Sequence, residues 1–172
     1  MRLIGLTGFS GSGKTTLLAA MVRDLVARGL TVSTVKHAHH GFDLDRPGKD
    51  SFRHREAGAR EVLVASDRRW ALMHEVEGDA APELGALLAH LAPADVVLVE
   101  GFKADPHPKI EVHRPALGHP PLWPGRADIV AIASDAPVAA AGRTVLPLND
   151  IAAVVAWTLH FLDSADQGQH LA

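Results

Sequence analysis

The chain has 172 residues, 47% of them hydrophobic and 22% charged, which is enough to build a full apolar core in one domain. Its 17 Lys and Arg against 20 Asp and Glu give a net charge of −3, which argues against a general nucleic-acid binder. The lack of cysteine excludes disulfides, thiol nucleophiles and cysteine-based zinc sites, and no apolar run approaches the roughly 20 residues that span a membrane. We therefore expect a cytoplasmic protein that binds neither nucleic acid nor membrane.

The chain begins with a predicted strand that runs into a phosphate-binding loop. Residues 3–6 are mostly apolar, and residues 8–15 (GFSGSGKT) match the pattern G-x-x-x-x-G-K-[ST]. Its glycines let successive N–H groups point at an anion, Lys14 would reach the β- and γ-phosphates, and the Thr15 hydroxyl would bind Mg²⁺. The apolar residues after the loop have helical spacing, and the positive N-terminal end of that predicted helix would point at the same phosphates. The alternative is a glycine-rich turn with no ligand.

Predicted strands and helices alternate along the rest of the chain. We expect strands at 31–36, 61–66, 69–76, 95–100, 109–113, 128–134 and near 145–146, and helices at about 50–59, 82–91 and 150–162. Most of these strands are apolar on both faces, which predicts an α/β fold of the P-loop NTPase type, a three-layer α/β/α arrangement with a mostly parallel sheet. The pair at 61–76, with a tight turn at Asp67-Arg68, predicts a local antiparallel hairpin.

Two segments stand apart from this alternation. Residues 104–125 hold six of the eleven prolines, and we expect an ordered surface loop around the strand at 109–113. The last residues carry little apolar pattern. We predict a single domain over residues 1–163 and a flexible tail at 164–172.

The strand at 96–99 (VVLV) ends in Glu100, which would lie beside the phosphate loop because ligands gather at the carboxyl ends of parallel strands. A carboxylate there can hold a water of the Mg²⁺ shell. The usual residue at this point is Asp. Glu100 is one methylene longer, which favours contact with Mg²⁺ through water over direct ligation. The alternative is a strand-end glutamate that faces solvent. Lys103 is either a second phosphate contact or a solvated lysine.

The loop after the second strand carries His37, His39 and His40, which should reach the same rim of the sheet. Three histidines in four positions suggest zinc, but the missing cysteines and the cationic neighbours favour binding of a further anionic group. Asp43 or Asp45 in the same loop would complete the Mg²⁺ shell. The alternative is a mobile, solvated loop.

The strand at 128–134 leads to Asp135, at the place where a base-reading loop should lie. No N/T-K-x-D motif occurs. Guanine presents two donors on one edge and a carboxylate has two acceptors at matching spacing, so Asp135 favours GTP over ATP. The alternative is an Asp that caps the chain before Pro137.

Four segments of the chain together match the pattern of a known family: GFSGSGKTTL, TVKHAHHGFDLDRPGKDSFRHREAGA, VLVEGFK and IASD. They resemble the molybdopterin-guanine dinucleotide biosynthesis protein B (MobB) family, and the second segment is the specific one. The resemblance covers residues 1 to about 160. It implies a GTP-binding adapter with weak Mg²⁺-dependent GTPase activity, which helps a separate guanylyltransferase partner attach GMP to molybdopterin; molybdopterin is a further candidate ligand. It also implies a homodimer with strands that reach across the two subunits, for which the hairpin around Arg69 to Val76 is the candidate.

The same resemblance assigns roles to single residues. The phosphate loop would bind GTP through Gly8, Ser10, Gly11, Ser12, Gly13, Lys14, Thr15 and Thr16. Asp45 and Glu100 would lie near the metal and Asp135 near the base. Lys14, the loop amides and Mg²⁺ would stabilise charge on the transferred phosphate. Because neither a water-orienting residue nor an arginine finger in cis is identifiable, we expect slow hydrolysis.

Three other functions stay open on the sequence. A P-loop small-molecule kinase needs an acceptor pocket and an arginine-bearing lid, which Arg53, Arg55 and the histidine loop would mimic. A GTP-driven metal-insertion chaperone of the nickel type is disfavoured by the absence of cysteine. A binding module with a purely structural nucleotide would show no turnover.

Overall fold

The computed structural model describes residues 2–38, 43–76, 78, 81–140 and 142–169. Within these ranges the chain forms eight strands, four α-helices and one short 3₁₀ helix (Pro115–Leu117). The strands are β1 (Arg2–Thr7), β2 (Val32–Lys36), β3 (Glu61–Ala65), β4 (Trp70–His74), β5 (Val96–Glu100), β6 (Lys109–His113), β7 (Ile129–Ser134) and β8 (Thr144–Pro147). The helices are α1 (Lys14–Ala27), α2 (Asp50–Glu56), α3 (Leu84–Leu88) and α4 (Ile151–Gln169).

Six strands form one parallel sheet in the order β2-β5-β1-β6-β7-β8. The segment Val96–Val99 of β5 is fully buried, as its uninterrupted apolar sequence requires of a strand covered on both faces. Strands β2 and β5 lie on one side of β1, and strands β6, β7 and β8 lie on the other side, so the order of the strands reverses at β1. A reversal of this kind opens a crevice at the carboxyl ends of the strands. The predicted α/β fold class is confirmed.

Helices α1 and α4 pack against each other and against the sheet. In α1 the residues Leu17, Met21 and Leu25, which recur every fourth position, are all buried, so the predicted helical face is the one that meets the core. The same apolar cluster includes Ile4 and Leu6 of β1, Val96 and Leu98 of β5, Ile110 and Val112 of β6, and Val154, Val155 and Leu162 of α4. This packing fixes the start of α1 relative to the end of β1.

The opposite face of β6 is polar and yet buried. Lys109, Glu111 and His113 alternate with the apolar residues of this strand, and each is less than a tenth exposed. They are covered by residues 104–125, here called the proline-rich segment. The Leu122 amide donates to both carboxylate oxygens of Glu111 at 2.9 and 3.0 Å, and the Trp123 ring meets the His113 ring edge-on at a centroid distance of 5.1 Å. Irregular chain therefore takes the place of a helix on this part of the sheet.

Lys109 is fully buried and is held by three acceptors. Its Nζ donates to the backbone carbonyls of Asp105 and His107, the latter at 2.9 Å, and to the Asp128 carboxylate at 3.0 Å. Arg126 donates to the same carboxylate. The hydrogen bond from Arg126, supported by that from Lys109, holds the pKa of Asp128 far below its usual range against the effect of burial. One carboxylate therefore faces two cations, and the two carbonyls complete the hydrogen bonds of Lys109.

Strands β3 and β4 form a separate antiparallel pair in which Leu63 lies opposite Leu72. The Ser66 amide donates to the Arg69 carbonyl at 2.8 Å, which closes the tight turn at the predicted place. The predicted hairpin is confirmed.

Tertiary contacts divide the chain into two compact units, one made of Met1–His37 with Leu88–Ala172 and the other of Ala38–Leu87. The single domain over residues 1–163 and the flexible tail at 164–172 stay predictions. The predicted end of the last helix at residue 162 is wrong, since α4 extends to Gln169. None of the helices in the described ranges has the length and apolar character of a membrane span.

Candidate functional site

Three glycines with positive φ shape the loop between β1 and α1. Gly8, Gly11 and Gly13 have φ angles of 140°, 78° and 99°, a region that L side chains rarely adopt. At Gly8 space is also short, because a Cβ there would lie 2.5 Å from the Val112 carbonyl oxygen in β6. The glycines of the motif are thus required by the backbone, and Gly8 also by close approach to the neighbouring strand.

The curled loop leaves backbone donors free at the start of α1. The first helical hydrogen bond runs from the Leu17 amide to the Gly13 carbonyl at 2.9 Å, and no side chain caps the helix. Among the residues that the structure describes, the amides of Gly11, Gly13, Lys14 and Thr15 donate to no acceptor. Free N–H groups and the helix dipole together create a positive potential that suits an anion.

Two hydroxyls beside this loop are buried without a partner in the described part of the chain. They are Thr7 Oγ1, at the end of β1, and Ser12 Oγ. An unsatisfied buried polar group costs about 1–3 kcal/mol, so such groups occur where a ligand or an ordered water completes them. Both hydroxyls therefore fit a site that receives a polar ligand.

Strand pairing brings Glu100 to the loop. Leu6 lies opposite Glu100 across β1 and β5, and the Thr15 hydroxyl donates to Glu100 Oε1 at 2.7 Å. The Lys36 Nζ lies 3.8 Å from Oε2, and the Glu100 side chain is only 11% exposed, which excludes a glutamate that faces solvent. A hydroxyl and a carboxylate are the hard oxygen donors that Mg²⁺ prefers, so the residues present fit the predicted ion.

Lys14 extends over the loop. Its Nζ donates to the Phe9 carbonyl at 2.8 Å. Burial, the largest effect, lowers the pKa of Lys14, Glu100 acts in the opposite direction, and the charges of Lys103 and Lys36 lower it further. An anion in the loop would favour the charged form of this amine. A polyphosphate in the loop would therefore neutralise the positive charge that these lysines bring together.

The turn after β5 packs closely on His37. The His37 amide donates to the Glu100 carbonyl at 2.8 Å, and a Cβ at Gly101 (φ 95°) would lie 2.7 Å from the His37 Cβ. Phe102 adopts a strained φ of 47°, with its ring 5.0 Å from that of His37. His37 thus lies beside Glu100, whereas the predicted sites His39 and His40 lie outside the described residues. In the described ranges no group of three or more His, Asp or Glu side chains is placed to hold a metal ion.

Asp135 is paired with an arginine that sequence reasoning missed. His113 lies opposite Ser134 across β6 and β7, so the next residues, Arg114 and Asp135, emerge side by side. Arg114 donates through Nη1 to Asp135 Oδ2 at 2.5 Å and through Nε to the Ser12 carbonyl at 3.0 Å. One side chain therefore links the predicted base-reading carboxylate to the phosphate loop. An arginine at the edge of a proline-rich segment gave no sequence signal for this.

Lys103 also lies close to the loop. Its Nζ is 5.8 Å from the centre of the Phe9 ring, and that ring stacks on His119 at 4.5 Å. His119 was not predicted and belongs to the proline-rich segment. Lys103 is exposed, so its two predicted roles, phosphate contact and solvated lysine, both stay open.

Asp43 and Asp45 lie in the second unit, where both face Arg55. Arg55 contacts Asp43 at 2.8 Å, Glu75 at 3.5 Å and Asp45 at 4.0 Å, while the Ser51 hydroxyl donates to Asp45 at 2.6 Å. The hydrogen bond from Arg55 lowers the pKa of Asp43. The metal role of Asp45 stays a prediction. An arginine neutralised by three carboxylates is poorly suited to serve as the lid arginine of a kinase.

Comparisons with known proteins agree on one family. Residues 3–135, which include the loop, Glu100 and Asp135, match the family described as molybdopterin guanine dinucleotide synthesis protein B, MobB. The chain is 41% identical to the molybdopterin-guanine dinucleotide biosynthesis adapter protein of Haemophilus influenzae, over 92% of this chain and 90% of the relative. It is 40% identical to the Escherichia coli K12 protein of the same name, over 87% and 86%. The crystal structure of a MobB protein homolog from Bacillus stearothermophilus superposes with a TM-score of 0.66 at 27% identity, over 95% of this chain and 99% of the other.

Proposed function

Because the chain belongs to the molybdopterin guanine dinucleotide synthesis protein B (MobB) family, we propose that it is a GTP-binding adapter that assists the attachment of GMP to molybdopterin. The observation that carries the proposal is the loop with free amides at the start of α1, where the Thr15 hydroxyl lies 2.7 Å from Glu100. Relatives named as adapter proteins support the role. Its proposed partner is a separate guanylyltransferase, molybdopterin is a further candidate ligand, and the proposed location is the cytoplasm.

The loop residues would bind the triphosphate. The free amides and the Lys14 amine would contact its oxygens, and Lys36 would add positive charge next to Glu100. Thr15 and Glu100 would hold Mg²⁺, which would neutralise part of the negative charge of the phosphates. The described residues near the loop include no obvious group that orients an attacking water, so we expect slow hydrolysis.

Asp135 would read the base. Its carboxylate lies at the carboxyl end of β7, on the same edge of the sheet as the loop, and accepts one hydrogen bond from Arg114. It keeps acceptor capacity for the two donors on the edge of guanine, a pair that adenine lacks. We therefore propose GTP in preference to ATP as the ligand.

The hairpin of the second unit would pair with a second copy of the chain. Leu63 of β3, Leu72 of β4 and Trp70 of β4 lie on one face and are 60%, 39% and 66% exposed. A two-stranded sheet is at best marginally stable by itself, and exposed apolar faces mark association surfaces. These features support the proposed homodimer.

The test compares the wild type with Lys14→Ala and with Arg23→Ala, which removes an exposed cation from the middle of the same helix. Calorimetry with Mg²⁺ should show GTP binding by the wild type and by Arg23→Ala, with ATP weak in both. Loss of the charge-assisted lysine contact, about 1.5–3 kcal/mol, should weaken GTP binding by Lys14→Ala about ten- to a hundredfold. Turnover by the wild type should stay below about 1 s⁻¹.

Equal binding of ATP and GTP would contradict the proposed preference for guanine, and unchanged GTP affinity in Lys14→Ala would contradict the phosphate site. The adapter role is tested separately. Adding the wild type to a mixture of guanylyltransferase, molybdopterin and Mg²⁺-GTP should increase the yield of the guanine dinucleotide, and Lys14→Ala should add less. No increase with the wild type would refute the adapter role.

A further inference from the structure

We infer that Arg114 is a positioning residue that sets the base specificity of the proposed nucleotide site. It does so by holding the Asp135 carboxylate at a fixed place relative to the phosphate loop. The inference rests on the proposed function, because it concerns the same site, but it assigns a role that the P-loop motif does not contain. It rests on two hydrogen bonds of one half-buried side chain and on the closeness of that side chain to Gly13.

The backbone fixes both partners. Arg114 follows β6 directly, and its carbonyl accepts the Leu117 amide at 3.0 Å, which starts a short 3₁₀ helix. Asp135 follows β7 directly, and the Ser134 hydroxyl donates to the Ala136 carbonyl at 2.8 Å across it. The two residues therefore leave neighbouring strands in register, each with an ordered turn behind it.

The guanidinium bridges two parts of the site. Its Nε donates to the Ser12 carbonyl at 3.0 Å and its Nη1 to Asp135 Oδ2 at 2.5 Å. The group also packs on the loop, because a Cβ at Gly13 would lie 3.6 Å from Nη2. A guanidinium is planar and rigid, so its two donors keep a fixed relation to each other. The distance between the loop and the carboxylate is thereby set.

The bridge leaves the carboxylate competent to read guanine. Arg114 engages Oδ2 alone, and within the described residues no donor contacts Oδ1. A carboxylate has about four lone-pair sites, so Oδ1 and the second lone pair of Oδ2 stay available for N1–H and the exocyclic amino group of guanine. Two such bonds require a fixed carboxylate plane. Without Arg114, Asp135 would rotate, and the second bond would weaken most.

Loss of Arg114 would change base specificity and overall affinity in different ways. An arginine that only supported the loop would weaken every nucleotide with the same phosphates by the same factor. An arginine that orients Asp135 affects guanine more than hypoxanthine, which lacks the exocyclic amino group. The ratio of the two affinities is therefore the quantity to measure.

Calorimetry with GDP and IDP in the presence of Mg²⁺ gives this ratio, since the two ligands differ only in that amino group. The wild type should prefer GDP. Arg114→Ala should lower the GDP-to-IDP preference by about tenfold, the lower end of what one charge-assisted hydrogen bond contributes, because the bond to the amino group is weakened and not removed. Arg28→Ala, which removes an arginine paired with Asp24 at the far end of α1, should leave the ratio unchanged. Arg114→Lys keeps the positive charge but loses the planar guanidinium with its two donors, so it should also lower the ratio. It serves as the test if the alanine variant does not fold.

If Arg114→Ala and Arg114→Lys lose affinity for GDP and IDP in equal proportion, the inference is overturned while the proposed GTP site stands. If the wild type binds both but does not prefer GDP, the inference and the base-reading role of Asp135 fall together. If the wild type binds neither, the proposed nucleotide site itself is refuted.

Discussion

The buried lysine of β6 offers the sharpest test of how the fold is held together. In Lys109→Met the side chain keeps a similar length and volume, so no large cavity forms. The Nζ and its three hydrogen bonds are removed. Two backbone carbonyls, those of Asp105 and His107, lose a charged donor, while Asp128 keeps Arg126.

The magnitude follows from these contacts. Removing one partner of a buried ion pair costs about 3–5 kcal/mol, because an uncompensated charge stays behind. Here Arg126 still compensates Asp128, so we expect the lower end of that range, about 3 kcal/mol of unfolding free energy. For a chain of this size such a loss lowers Tm by about 6–12 °C.

Urea unfolding followed by circular dichroism measures the loss. The matched control is Lys36→Met, the same substitution at a lysine that is 62% exposed and 3.8 Å from its carboxylate. An exposed pair of this kind contributes at most about 1 kcal/mol. If the two variants lose the same amount, the buried network around Lys109 does not stabilise the fold, and the reasoning is refuted.

Two further predictions concern the other face of the same strand and the hairpin. Burial raises the pKa of Glu111 above its ordinary value of 4.5, so the folded state binds the extra proton and the stability of the wild type falls as the pH rises through that window. Glu111→Gln does not titrate, so its unfolding free energy minus that of the wild type should increase as the pH rises above about 4.5, and a difference independent of pH would contradict the shift. Leu63→Glu places a charge on the exposed apolar face and should convert the proposed dimer to monomer in sedimentation velocity while leaving GTP affinity unchanged. A monomeric wild type, or a variant that stays dimeric, would rule out the hairpin as the interface.

The sequence was sufficient where one local pattern decides the structure. The glycines, Lys14 and Thr15 of the loop follow from a single motif, and the uninterrupted apolar run before Glu100 predicts a buried strand that ends at the site. The Asp67-Arg68 turn likewise followed from its flanking strands. Each of these features depends on residues adjacent in the chain.

The sequence was insufficient where distant segments decide. In KIEVH the polar residues alternate with apolar ones, which is typical of a strand with one face in water, yet Lys109 and Glu111 are fully buried. Their partners Asp128 and Leu122 lie outside the strand, in segments whose position the local pattern does not fix. Arg114 was missed for the same reason, because its two acceptors come from the loop after β1 and the turn after β7.

These residues lie in β6 or directly after it, and this explains how the two halves of the site keep their spacing. β6 lies between β1 and β7. Its Val112 carbonyl leaves no room for a side chain at Gly8, and Arg114 follows its last residue. Lys109 fixes the start of this strand and Arg114 acts beyond its end. We therefore expect Lys109→Met to lower stability without changing the GDP-to-IDP ratio, and Arg114→Ala to change the ratio with a smaller loss of stability. If Lys109→Met changed the ratio as much as Arg114→Ala does, base specificity would depend on the strand as a whole and not on the arginine bridge.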